Sequence, residues 1–146
     1  QQVSSAASDV YKRQTLSGNP VAVSAGTALL KQLKNKKMFS ELERKGEIFL
    51  KGLKEEAKKN GIPFCYNIRG GMFGFFFSNK LPKNFQEVSD TNISMFNKFF
   101  RLMLEQNVYL PPSAFESCFL STEHTQEQLM KTVKLSSNVF KNLNNG

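Results

Sequence analysis

The sequence predicts an α+β domain, with a small, mostly antiparallel sheet and helices packed on one face of it. Three observations carry this. Long segments with apolar residues at helical spacing flank a pair of short apolar runs. Those two runs are separated by the turn sequence Arg69-Gly70-Gly71. The 146 residues are 40% hydrophobic and include 14 phenylalanines, enough for one core.

The elements follow in order. Residues 1–14 are mostly small and polar and show no periodicity, so they read as a non-native or disordered tail, and the domain is expected over residues 15–146. Asn19 before Pro20 suits an N-cap with proline at the first helical position, opening a helix to about Lys34. Val21, Ala25, Ala28, Leu29 and Leu33 form its apolar stripe, with small residues between them that allow close packing. Ser40 and Glu43 have the spacing of a capping box, which predicts a second helix from Ser40 to Asn60. Asn60-Gly61 is a stop signal, and Pro63 forbids continuation.

Strands are expected over Phe64–Ile68 and Met72–Phe77, where the run of Met, Phe, Gly and Phe is short and aromatic. Gly74 inside the second predicts a bulge or a close backbone approach. Ser78–Ser89 reads as a polar loop. A third helix is expected from an N-cap at Asp90 to Gln106, burying Ile93, Phe96, Phe100, Met103 and Leu104. Val108–Leu110 reads as a short strand, Pro111-Pro112 as a rigid extended stretch, and Phe115–Ser121 as a further strand. Thr125 and Gln128 form another capping box, opening a last helix to about Leu143.

Composition narrows the function classes. The 20 basic and 12 acidic side chains give a formal charge of +8. A basic balance favours polyanionic partners. However, Lys and Arg are spread from Lys12 to Lys141, interleaved with apolar residues and with Glu55 and Glu56. These are solvated helix faces, and no nucleic-acid motif of defined spacing is present. Neither nucleic acid nor membrane is therefore expected as a partner. No run approaches 18 apolar residues, and the first 30 lack a basic start followed by an apolar stretch. Cys65 and Cys118 lie far apart without metal or redox spacing, and read as buried reduced thiols of a cytoplasmic protein, with a disulfide as the alternative. His124 is the one histidine, so no metal site is expected.

Few residues point to chemistry on their own. His124 sits at a helix start and reads as a surface or capping residue. Cys118 is a nucleophile only if a basic partner reaches it. Ser113 lacks the glycine context of a nucleophile elbow. Thr15, Ser17 and Gly18 precede a helix N-terminus, where hydroxyls and backbone N–H groups favour an anion such as phosphate. Glu116 follows the rigid Pro-Pro turn between Phe115 and Cys118, an apolar setting in which a carboxylate is expected to be desolvated or paired.

Three segments together resemble one family. TLSGNPVAVSAG, GIPFCYNIRGGMFGFFF and FNKFFRLMLEQNVYLPPSAFESCFLSTEHT, in this order and spacing, are similar to the C-terminal third of the glutamate-1-semialdehyde 2,1-aminomutases. These belong to the class III branch of the pyridoxal-phosphate aminotransferases. The resemblance runs from Thr15 to about Leu143. GGMFGFFF and YLPPSAFE are its most specific parts, whereas TLSGNP marks only the wider class.

The resemblance implies the C-terminal domain portion of a fold-type I pyridoxal 5'-phosphate (PLP) enzyme. It implies a homodimer that moves an amino group within glutamate 1-semialdehyde, giving 5-aminolevulinate for porphyrin synthesis. It implies that Thr15 contacts the cofactor phosphate of the neighbouring subunit, although Gln14 stands where the family has glycine. It also implies that Glu116 approaches the substrate and helps its amino groups exchange. Between Pro112 and Thr125 there is no Arg or Lys to hold an α-carboxylate, which favours the mutase over an ordinary transaminase. The family's Schiff-base lysine, the aspartate on the pyridine nitrogen and the ring-stacking aromatic have no counterpart here. The chain is therefore expected to be a fragment, inactive alone. Two alternatives stay open: another class III aminotransferase, and a stand-alone basic α+β binding module.

Overall fold

The structure is a computed structural model that describes residues 18–143. It divides into two compact units, one running to Lys36 and the other from Lys37. In the first, helix α1 spans Pro20–Leu33. Asn19 caps it, its side-chain oxygen accepting from the Val21 and Ala22 N–H groups at 2.9 and 3.3 Å. None of its residues is buried, so the apolar stripe of its sequence stays exposed, as at Val21 and Leu29.

The second unit carries the sheet. Its elements are α2 (Lys36–Lys59), β1 (Cys65–Arg69), β2 (Met72–Phe76), α3 (Phe85–Ser89), α4 (Ile93–Glu105), β3 (Cys118–Phe119) and α5 (Gln126–Leu143). The strands form one antiparallel sheet in the order β1-β2-β3. The α+β expectation therefore holds. A tight turn at Gly70-Gly71 sets the register Asn67 opposite Gly74 and Arg69 opposite Met72, with Gly70 at φ 59°. The ladder runs through Gly74 without a bulge.

Period-two alternation decides the faces of β2. Phe73, Phe75 and, just beyond the strand, Phe77 are buried, while Met72 is exposed and Phe76 half-buried. The buried rings meet α2, α4 and α5. Phe75 stacks on Phe64 and Phe96 at 5.5 and 5.4 Å, and Phe99 stacks on Phe140 at 5.0 Å. Such offset and edge contacts add to plain area burial. A binding surface made from the Phe73–Phe77 run is thus excluded for its three buried rings.

Several boundaries differ from the sequence expectation, each for a local reason. Helix α2 starts at Lys36, so Ser40 lies inside it and its hydroxyl donates to the Lys37 carbonyl instead of capping. Both α2 and α4 end in Schellman motifs. Ile62 N–H reaches Ala57 O past Gly61, and Val108 N–H reaches Met103 O past Asn107, each at 3.0 Å. Asn107 takes the left-handed position at φ 59°, which asparagine tolerates. Val108 spends its N–H there, and the expected strand over 108–110 does not form.

The loop expected over 78–89 contains the short helix α3, capped by Asn84. Asp90 ends α3, and Asn92 caps α4 by accepting from Met95 N–H at 2.9 Å. The buried face of α4 is Phe96, Phe99 and Met103, turned from the expected stripe so that Leu104 is exposed. The strand expected over 115–121 shortens to Cys118–Phe119, because Ser113 turns the chain and takes the Phe115 and Glu116 N–H groups. No helix among the described residues is long and apolar enough to cross a membrane.

Candidate functional site

Behind β3 lies a cleft of about 390 Å³. Phe49, Phe73, Leu110 and Leu129 contribute apolar walls, and Glu116, His124, Gln128 and Thr132 contribute polar groups. Its position follows from the chain path. The Schellman exit of α4 and the two prolines carry the backbone extended past the sheet edge. The Ser113 turn, in which Glu116 N–H donates to Ser113 O at 3.1 Å, then brings Glu116 to the cleft. Glu116 is exposed there, in contrast to the desolvated setting expected from its apolar neighbours. The rigid turn holds it at the rim, where water reaches the carboxylate.

The segment beyond β3 is fixed by hydrogen bonds. Leu120 N–H donates to Gly71 O at 2.8 Å, extending the ladder by one step. Ser121 N–H donates to His124 Nδ1 at 2.9 Å. The Lys45 ammonium reaches across from α2 to the Thr122 and His124 carbonyls, at 3.1 and 3.0 Å. Thr125 and Gln128 then exchange the two bonds of a capping box, at 2.9 and 3.2 Å. His124 is thus a capping histidine, and a neutral one in this arrangement, since Nδ1 accepts. The pattern Ser-x-x-His could have signalled the bond. Nothing local signals the Lys45 tie, which joins distant parts of the sequence.

Both cysteines are buried free thiols, as expected. Burial, reinforced by the nearby Glu116 carboxylate, pushes the Cys118 thiol up to about 12, and burial also raises Cys65. A thiol held protonated is no nucleophile at neutral pH, and the structure gives Cys118 a packing role. Among the described residues, no group of three or more His, Cys, Asp or Glu could hold a metal ion.

The anion site expected before α1 meets a local obstacle. Asn19 takes the Val21 and Ala22 N–H groups with its side chain and the Val23 N–H with its carbonyl, while Pro20 has none. The first turn of α1 therefore has no donor left for a phosphate. Thr15 and Ser17 lie outside the described residues, and Gly18 is exposed in the left-handed region at φ 76°. Cofactor fit can be tested on the lysines as well. Apart from Lys36, whose side chain is not described, no lysine among the described residues is buried. The half-buried Lys45 and Lys98 are engaged with backbone carbonyls. The described residues do not by themselves make a PLP site; what they offer is one carboxylate at the rim of an apolar cleft.

No protein-family model matches the chain. Individual proteins do. Glutamate-1-semialdehyde 2,1-aminomutase 2 of Bacillus licheniformis is 40% identical over 134 residues, covering 92% of this chain and 31% of the relative. The glutamate-1-semialdehyde 2,1-aminomutases of Polynucleobacter asymbioticus and Persephonella marina are each 42% identical, with the same coverage. Among solved structures, an omega-transaminase from Sphaerobacter thermophilus superposes with a TM-score of 0.71 at 17% identity, over 89% of this chain and 30% of that one. That likeness shows the fold. The chain spans about a third of the length of the relatives it matches, and over nearly all of its own length it is similar in sequence to glutamate-1-semialdehyde 2,1-aminomutase and in fold to a transaminase.

Proposed function

We propose that this chain forms the C-terminal part, from Thr15 onward, of a PLP-dependent glutamate-1-semialdehyde 2,1-aminomutase, with residues 1–14 outside the native domain. The whole enzyme is a cytoplasmic homodimer that converts glutamate 1-semialdehyde to 5-aminolevulinate by moving an amino group within one molecule. The observation that carries the reading is the 40–42% identity to several aminomutases across 92% of the chain. When bound, PLP supplies an electron sink for chemistry at the amine-bearing carbon. This chain's part is binding and positioning. The Glu116 carboxylate accepts hydrogen bonds from the substrate's amino groups, held in place by the Pro111-Pro112 stretch and the Ser113 turn. Thr15 holds the cofactor phosphate of the neighbouring subunit. The lysine bonded to the cofactor lies in the rest of the polypeptide, so this chain alone is inactive.

The test is a chimera in which residues 15–146 replace the matching third of the Persephonella marina enzyme. The expected result is 5-aminolevulinate formation by the chimera, its loss by at least tenfold in Glu116→Gln, and none by the chain alone. The Glu116 loss reflects a charge-assisted hydrogen bond, worth about 1.5–3 kcal/mol. A folded, PLP-loaded chimera that transaminates simple ω-amines but makes no 5-aminolevulinate would overturn the substrate assignment.

A further inference from the structure

We propose that the Ser121–His124 turn is a proton-operated latch on the rim of the cleft. The latch is the 2.9 Å bond from Ser121 N–H to His124 Nδ1. It exists only while Nδ1 carries a lone pair. A protonated imidazole presents N–H groups at both nitrogens, so the Ser121 amide then faces a donor and must turn away.

The turn's other ties do not depend on that proton. Lys45 holds the Thr122 and His124 carbonyls, Glu123 N–H donates to Ser121 Oγ at 3.2 Å, and His124 N–H donates to Ser121 O at 3.2 Å. Protonation therefore releases one amide without unravelling the turn. Its effect lands on the cleft. Leu120, just before the latch, is tied to the sheet through Gly71, and Gln128, just after it, belongs to the cap of α5. Leu120, His124 and Gln128 all line the cleft, so the bond that breaks lies within its rim.

The charged and titratable groups around the ring come from each neighbouring element. Lys45 comes from α2, Glu123 and Glu127 flank the ring in sequence, and Glu116, Tyr109 and the Cys118 thiol share the cleft. None of them offers the Ser121 amide a replacement acceptor in the structure. The latch rests on this chain's own hydrogen bonds and is independent of the proposed reaction.

Nuclear magnetic resonance on the 146-residue chain tests it. At pH 8 the His124 ring is expected as the neutral tautomer with the proton on Nε2. As the ring protonates, hydrogen exchange at the Ser121 amide, measured against its intrinsic rate, should speed up by about tenfold, the value of one modest hydrogen bond. In His124→Asn, the side-chain oxygen can take the place of Nδ1 and cannot be protonated, so Ser121 protection should persist down to pH 5. A ring with its proton on Nδ1 at pH 8 would overturn the proposal. So would Ser121 protection that ignores the ring's titration, or an unchanged pH dependence in His124→Asn.

Discussion

The two sides of β2 are built by different rules. On one side, Phe73, Phe75 and Phe77 join rings from α2, α4 and α5 in a shared aromatic core, where no single contact decides the packing. At the edge, the stretch from Val108 to Thr125 makes only two residues of strand and is held by separate hydrogen bonds. The core is cooperative: removing a ring loosens all its neighbours. The edge is modular: removing a bond frees one turn. Chemistry needs polar groups at a fixed place within reach of water, and only the second kind of construction offers that.

If the contrast is right, the largest loss comes from the core. Phe99→Ala and Phe140→Ala each remove a fully buried ring and should cost about 3–5 kcal/mol in denaturant unfolding. Losses under 1 kcal/mol would mean that the core is loosely packed. The seam between the two regions comes next. A Cβ at Gly71 would stand 3.0 Å from the Leu120 carbonyl oxygen, a backbone atom with little room to give. Gly71→Ala should cost about 1–3 kcal/mol, with faster hydrogen exchange at Leu120 as the local signature.

A purely local change at the edge is smaller. Thr125→Ala removes one half of the capping box and should cost about 1 kcal/mol, leaving exchange in the aromatic core unchanged at matched stability. A further effect, confined to high pH, is in alkaline stability. Cys118 ionises at about 12 in the fold and near its ordinary value when unfolded. The folded chain then binds more protons than the unfolded one above pH 9, so stability should fall from about pH 9 to 12. Tyr66, raised to about 12 by burial and its bond to Glu47, adds to the same slope above about pH 10. Melting temperature followed against pH should decline less steeply in Cys118→Ala than in the parent chain; identical slopes would show that Cys118 opens to solvent before unfolding.

What the sequence disclosed follows the same divide. Period-two alternation and helical spacing located the core elements, because burial repeats along the chain. Asn19-Pro20, Asn60-Gly61 and Thr125/Gln128 were legible because each cap is complete within a few residues. The Ser40/Glu43 pattern misled because helix α2 had already begun four residues earlier, and a capping sequence inside a helix has no free N–H groups to cap. The strand expected at 108–110 failed because the Schellman exit of α4 takes the Val108 N–H back to Met103. The cleft was not legible: it depends on Lys45 reaching the Thr122 and His124 carbonyls and on Leu120 meeting Gly71. Glu116 was legible as a carboxylate placed after a rigid turn, its role came only from the family resemblance, and its exposure became apparent only once the Ser113 turn was in place.

One tight spot in α2 carries a consequence for how this domain can change over time. At Gly46 an added Cβ would collide with the tip of Ile68 and come within 3.2 Å of Leu120 Cδ1. The colliding atom is Ile68 Cδ1, the one methyl that valine lacks. Positions 46 and 68 are therefore a single allotment of volume shared between a helix and a strand. Alanine at 46 should be tolerated chiefly in descendants that have already traded Ile68 for valine, and the order of the two substitutions, not only their sum, decides which lineages stay folded.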